Sequence, residues 1–246
     1  MRAWHVAVSL VLLARVASAS PASADDEVPR APAAAETPPA PLPPRAHQAL
    51  LMPTALTQPA LTFSVDLNGV MPGLTFTPVS FLQLQVAGFA GVAQFVIGFA
   101  SLKAKFLDTT HVKAAAFGDY VGYTFTGSNE GRVVLAGAVV TACGDACRYG
   151  ISVLGGIGKH GKTVDTSPSS NTGTFLGVNA HVRLAEQLAL VAEVNRLGER
   201  AWQGGGALRW SRTRFGLDVG AVFLSSDELP VLPWVALSYS LALAGH

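Results

Sequence analysis

The feature that most constrains this chain is a side-chain period of two, repeated through five successive segments between Gly173 and Leu243. Alternate residues of a strand share a face. In Gly173–Leu184, Leu176, Val178, Ala180, Val182 and Leu184 share one face, and Asn179, His181 and Arg183 the other. Leu188, Leu190, Ala192 and Val194 oppose Glu193 and Asn195. Trp202, Leu208 and Trp210 oppose Gln203 and Arg209. Phe215, Leu217, Val219, Ala221 and Phe223 oppose Arg214, Asp218 and Gly220. Val235, Leu237, Tyr239, Leu241 and Leu243 oppose Ser238 and Ser240. Short turns at Ala185–Gln187 and Ser211–Thr213 alternate with longer polar connections at Arg196–Ala201 and Ser225–Val231. Consecutive strands joined in this rhythm predict an all-β, up-and-down antiparallel barrel.

Soluble barrels alternate too, so the surroundings of each face decide the reading. Trp202 and Trp210 stand eight residues apart on one apolar face, as do Phe215 and Phe223. A tilted strand separates such a pair by roughly 20 Å along a membrane normal, the spacing of two interfacial aromatic girdles. The charged residues fall on the opposite face. Asn179, His181, Arg183, Glu193, Arg209, Arg214 and Asp218 are therefore expected to form a polar network in the lumen. Charged residues make up 13% of the chain and the mean hydropathy is +0.37, which suits a barrel whose outer face meets lipid. A net charge of +1 offers nothing to a nucleic acid.

The 246 residues divide into three parts. Residues 1–24 read as a cleaved signal peptide, with Arg2 before the apolar run Val6–Ala14 and small-residue cleavage sites at Ala17-Ser18-Ala19 and Ala22-Ser23-Ala24. Residues 25–60 read as a Pro/Ala-rich disordered linker, because Pro38-Pro39-Ala40-Pro41 and Pro43-Pro44 neither pair as strands nor continue a helix. Residues 61–246 read as the barrel.

Between Val79 and Leu102 no residue is charged, so length alone admits a membrane helix. Leu82, Leu84 and Val86 alternate with Gln83 and Gln85, and Ser101, Lys103 and Lys105 with Leu102, Ala104 and Phe106. Two strands account for those polar positions better. In His111–Phe125 the polar His111, Lys113 and Asp119 share a parity with Phe117, Val121, Tyr123 and Phe125, and a bulge near Gly118 is expected to separate them. Gly127–Gly131 and Lys159–Thr172 read as polar loops. The count is about ten strands, with eight or twelve as alternatives. Short turns face the periplasm and long connections face outward.

From about Val79 to Leu243 this pattern resembles the small outer-membrane β-barrel proteins of Gram-negative bacteria, the porin-like and outer-membrane-protein-A-like group. The resemblance implies an outer-membrane location, contact with outer-membrane lipid and insertion by the barrel-assembly machinery. The family's last strand usually ends on an aromatic residue. Here Tyr239, Leu241 and Leu243 keep the alternation and the terminal aromatic is missing.

Chemistry is sparse. Cys143 and Cys147 flank Gly144-Asp145-Ala146 at a hairpin turn, and in an oxidising compartment they are expected to form a structural disulfide. Gly156–Thr163 (GIGKHGKT) matches the phosphate-loop string but lacks a helix after it, so it reads as accidental. Gly204-Gly205-Gly206 reads as room for neighbouring bulk in a wall. His181 with Glu193 and a serine would be the raw material of an envelope-lipid-modifying enzyme, but no nucleophile motif accompanies them. The expectation is no enzyme, no cofactor and no metal. The role expected is structural, adhesive or narrow-pore. A soluble, exported, lipocalin-like barrel that binds a small apolar ligand is the alternative.

Overall fold

Period-two segments bury one face only when their edges are paired, and a barrel removes the edges altogether. The computed structural model describes residues 44–90, 95–125, 129–144, 147–164, 167–198, 201–225 and 231–243. Twelve strands occur among them: β1 (Thr62–Asn68), β2 (Met71–Val79), β3 (Leu82–Ala90), β4 (Val96–Asp108), β5 (Val112–Phe125), β6 (Asn129–Gly144), β7 (Tyr149–Val164), β8 (Ser167–Ala185), β9 (Leu188–Leu197), β10 (Ala201–Arg212), β11 (Phe215–Ser225) and β12 (Leu232–Ala242). Each pairs antiparallel with its sequence neighbours, and β1 closes on β12 from Thr62↔Ala242 to Asn68↔Ala236. The architecture is an up-and-down closed barrel.

The count of ten gives way to the twelve-strand alternative. The additional pair is β1 and β2, turned at Gly69 with φ 61°. The described residues of Val79–Leu107 are strand at β3 and β4, which pair from Leu82↔Ala104 to Ala90↔Val96; residues 91–94 lie outside the described residues. The expected bulge near Gly118 is absent, since β5 holds one register with β6 from Val112 to Phe125. The irregularity lies instead on β4, between Lys105 and Leu107. Phe117 faces inward beside Asp119, and both are buried. Part of the lumen is apolar, so no switch of faces is needed.

The polar stretches expected as loops are also largely strand. Lys159–Val164 belongs to β7 and Ser167–Thr172 to β8, paired as far as Val164↔Ser167. Asn129–Gly131 opens β6. Strand pairing satisfies the backbone whatever the side chains are, so polar residues extend a hairpin beyond any apolar band. The phosphate-loop string at Gly156–Thr163 lies inside antiparallel β7. Gly204 and Gly205 are required by close approach: a Cβ at Gly204 would meet the Glu193 carbonyl at 2.4 Å, and one at Gly205 the Ala221 carbonyl at 2.3 Å.

Outward positions are apolar around the whole wall, with Val65, Val86, Leu102, Val153, Leu176 and Val219 exposed among many others. Trp202 and Trp210 are exposed on the outer face, and Phe215 and Phe223 share that face of β11. Trp210 and Phe215 meet edge to face across the β10–β11 turn, with centroids 5.6 Å apart. Phe81, Phe106, Tyr149 and Tyr239 add exposed rings at the same short-turn end. Cys143 and Cys147 form the expected disulfide across the β6–β7 turn, with Cα atoms 4.6 Å apart. Among the described residues no helix is long and apolar enough to cross a membrane, which says nothing of strands.

The largest departure from expectation lies before β1. Of the described part of the 25–60 linker, residues 44–58 run inside the barrel, and Pro59 and Ala60 are exposed. Leu50 and Ala55 are fully buried, and Arg45, His47, Ala49, Met52 and Leu56 are nearly so. An eight-stranded barrel has an interior that side chains alone can fill, and the bore widens with strand number. Twelve strands leave room for a length of chain. The segment enters with Pro44 beside Gly216, reverses at Ala49–Met52 and returns to the short-turn end, where the Thr57 hydroxyl donates to the Ser80 carbonyl at 2.5 Å.

Candidate functional site

The reversal is a small turn of its own. Ala49 N–H donates to the Met52 carbonyl at 2.9 Å, Thr54 N–H donates to the His47 carbonyl at 3.2 Å, and Gln48 bridges Pro53. A turn this short leaves most of its backbone groups without partners in its own chain. In a buried position each must find one. The barrel wall supplies them from charged and hydroxyl side chains on inward strand positions.

Glu193 of β9 accepts three consecutive amides. Its Oε2 takes Leu50 N–H at 3.0 Å and Met52 N–H at 3.3 Å, and its Oε1 takes Leu51 N–H at 3.0 Å. Successive amides converging on one carboxylate form an anion-holding nest. The carbonyls go to cations. Lys103 Nζ on β4 donates to His47, Thr54 and Leu56 at 2.9, 3.2 and 2.6 Å. Arg209 Nη1 on β10 donates to the carbonyls of Arg45 and Gln48, and its Nη2 to that of Ala49. Thr141 Oγ1 on β6 accepts from Ala55 N–H at 2.9 Å.

Asp218 of β11 holds this arrangement in place. It takes Arg209 in a two-point contact, Nε to Oδ1 and Nη2 to Oδ2, both 2.8 Å. It also accepts Arg45 Nε at 3.0 Å, while Arg45 Nη1 donates to Asn68 Oδ1 at 2.7 Å. All five N–H donors of Arg209 are thereby used. Arg45 adopts φ 67°, a left-handed backbone that a non-glycine residue keeps only when its surroundings hold it there.

Apolar contacts complete the fit. Met52 and Ala55 pack with Ala115, Phe117, Val139, Leu154 and Phe175 of β5–β8. Ala49 and Leu50 pack with Val191, Ala207 and Val222 of β9–β11. Leu56 packs on the disulfide. Burying a leucine or methionine contributes about 1.5–3 kcal/mol. Cavities of about 40 Å³ toward β8–β10 and about 20 Å³ toward β3–β5 flank the segment, each room for little more than a water. We call residues 44–58 the plug.

Four of the seven residues expected in the lumen network are buried there: Asn179, Glu193, Arg209 and Asp218. His181 and Arg183 face inward, half-buried, at the short-turn side of the plug, and His181 Nε2 lies 3.0 Å from the Cys147 carbonyl. Arg214 corrects the expectation. It is exposed in the β10–β11 turn, because the strand that carries Asp218 begins only at Phe215. The network is also wired differently. Glu193 binds backbone rather than an arginine, and the sequence reading missed Arg45, Lys103 and Thr141 altogether. Lys103 stood on the polar parity of its strand and was within reach of that reading. Arg45 lies in the Pro/Ala-rich stretch, where no strand or helix period marks it.

Above the plug, toward the longer connections, lies a larger cavity of about 560 Å³. Leu51 and Met52 of the plug lie along its plug side, and Phe99, Val121, Leu135 and Phe175 are among its walls. Among the described residues no group of three or more His, Cys, Asp or Glu is placed to hold a metal ion.

No protein-family model matches this chain, and no curated protein matches it. Fold and lumen together define a closed, twelve-stranded, up-and-down antiparallel barrel occupied by its own N-terminal residues. That form is consistent with an outer-membrane-type barrel.

Proposed function

We propose that this chain is an outer-membrane β-barrel of the narrow-pore type, kept closed by its N-terminal plug. One observation carries the reading: wall charges on β4, β9 and β10 hold the backbone of a segment lodged in the lumen, and Asp218 of β11 holds its Arg45 side chain. A purely structural or adhesive barrel has no need of a bore wide enough to require closing. The outward apolar belt and its exposed aromatic residues support a lipid environment, since a water-soluble protein rarely exposes apolar patches of that extent. Outer-membrane lipid and the barrel-assembly machinery are the partners this reading implies. It assigns no catalytic role, because Glu193 and Asp218 are engaged in holding the plug.

The soluble lipocalin-like alternative draws support from the apolar cavity above the plug. Fractionation separates the two readings. The proposal expects recovery from the outer membrane only with detergent, and a gel mobility that changes on boiling. Recovery in the soluble periplasm, with no mobility change, would overturn it.

A further inference from the structure

The lumen of a membrane barrel is ordinarily polar and wet. Here the 560 Å³ cavity departs from that rule, with ten apolar side chains among its lining. Val121, Val133, Leu135 and Leu197 present half-buried apolar side chains to it from β5, β6 and β9, and the plug adds Leu51 and Met52. Leu135, Phe175 and Leu197 also pack with the plug's Met52, but Ile97, Phe99, Val121 and Val133 belong to neither of the clusters that hold the plug. Polar lining residues are the minority: Asp119, His160, Asn171, Thr174 and Gln203. Asn171 and Gln203 line the cavity, and His160 lies at hydrogen-bonding distance from the Tyr123 hydroxyl, 3.0 Å. Volume and lining match those of small-molecule sites, mostly apolar with a few orienting polar groups.

The charge of the cavity selects among ligands. Asp119 is its one acidic lining residue, buried, with Oδ1 accepting from Ser101 at 2.5 Å, and no lysine or arginine lines it among the described residues. An anion would meet a carboxylate and find no cation. A neutral molecule with a hydroxyl would bury its chain against the walls and donate toward Asp119 or the rim.

We infer that the cavity above the plug is a binding site for a neutral, largely apolar small molecule carrying a hydrogen-bond donor. The ligand rests on the plug tip at Leu51 and Met52. This goes beyond the pore reading and rests on it only for the lipid environment used in the test.

The chain's methionines make the test direct. There are three, Met1, Met52 and Met71, and the last two line the cavity. The full chain, labelled with carbon-13 at the methionine methyls and placed in lipid nanodiscs, is titrated with 1-decanol and, separately, with decanoate. The expected result is a saturable shift of the Met52 and Met71 signals by 1-decanol, with decanoate at least tenfold weaker. Val133→Asp places a charge in the wall without touching the plug and is expected to weaken 1-decanol at least tenfold, with an unchanged circular dichroism spectrum. Leu51→Gln gives the same test should Val133→Asp not fold. Absent shifts, shifts that do not saturate, equal shifts by decanoate, or shifts undiminished in the folded variant would each overturn the site.

Discussion

Asp218→Ala is expected to release the plug. The substitution leaves two guanidiniums, Arg45 and Arg209, buried without their shared carboxylate. Removing one partner of a buried ion pair costs about 3–5 kcal/mol, because the remaining charge is stranded. Two cations share this loss, and the cheapest relief is for Arg45 to leave for water, taking its segment with it. Arg209 loses the two-point contact that aims its guanidinium at the carbonyls of Arg45, Gln48 and Ala49. Trypsin reads the outcome. In the intact protein Arg45 is 1% exposed and its peptide bond is expected to resist cleavage. In Asp218→Ala, cleavage after Arg45 should rise by two orders of magnitude or more, the ratio that about 3 kcal/mol implies. Equal resistance in the two proteins would show that the pair does not retain the plug.

Glu193→Gln tests the plug tip. Glutamine keeps the volume but turns one of two acceptor oxygens into a donor. The three amides of Leu50, Leu51 and Met52 now share one oxygen, and at least one of them faces an N–H. Hydrogen bonds to a charged group contribute roughly 1.5–3 kcal/mol each. Loss of one, with weakening of the others, should speed amide hydrogen exchange at residues 50–52 by about tenfold to a hundredfold. Exchange in β9 and its neighbours, held by backbone ladders from Leu188 to Leu197, should change little. A uniform rise across the barrel would mean that Glu193 supports the wall rather than the plug.

The barrel was legible because its outer face obeys one rule throughout. Val178, Val194, Leu208, Val219 and Val235 alternate without exception, and every one faces outward. The inner face obeys two rules, and there the reading failed. Where the wall meets charge and backbone, inward residues are polar, as at Glu193, Arg209 and Asp218. Where it meets Met52 and Ala55, they are Ala115, Phe117, Val139 and Leu154. Strands apolar on both faces, such as Arg132–Ala142, signal that their inner side is not facing water. In His111–Phe125 the same mixture of polar and apolar inward residues reads as a conflict needing a bulge near Gly118, whereas β5 keeps one register with β6.

The plug itself was hidden by its neighbours. Proline is dense through Pro44 and then thins to Pro53 and Pro59. Between Pro44 and Pro53, Ala49-Leu50-Leu51-Met52 is an apolar run with no business in a solvated spacer. Because its backbone is held by wall side chains and not by a ladder, it carries neither a period of two nor one of 3.6. A missing proline N–H at Pro53 costs nothing in such a segment. Pairing between Glu193 and three amides far earlier in the chain leaves no local pattern at all.

The central claim, that residues 44–58 close the bore of a membrane barrel, is tested most directly by single-channel recording in planar bilayers. The full chain and a version lacking residues 44–58 are inserted under the same conditions. The account predicts that the full chain is closed or conducts only in rare, small openings, and that the shortened chain opens steadily with a several-fold larger conductance. Equal conductance in the two, or a full chain that is open from the start, would contradict it.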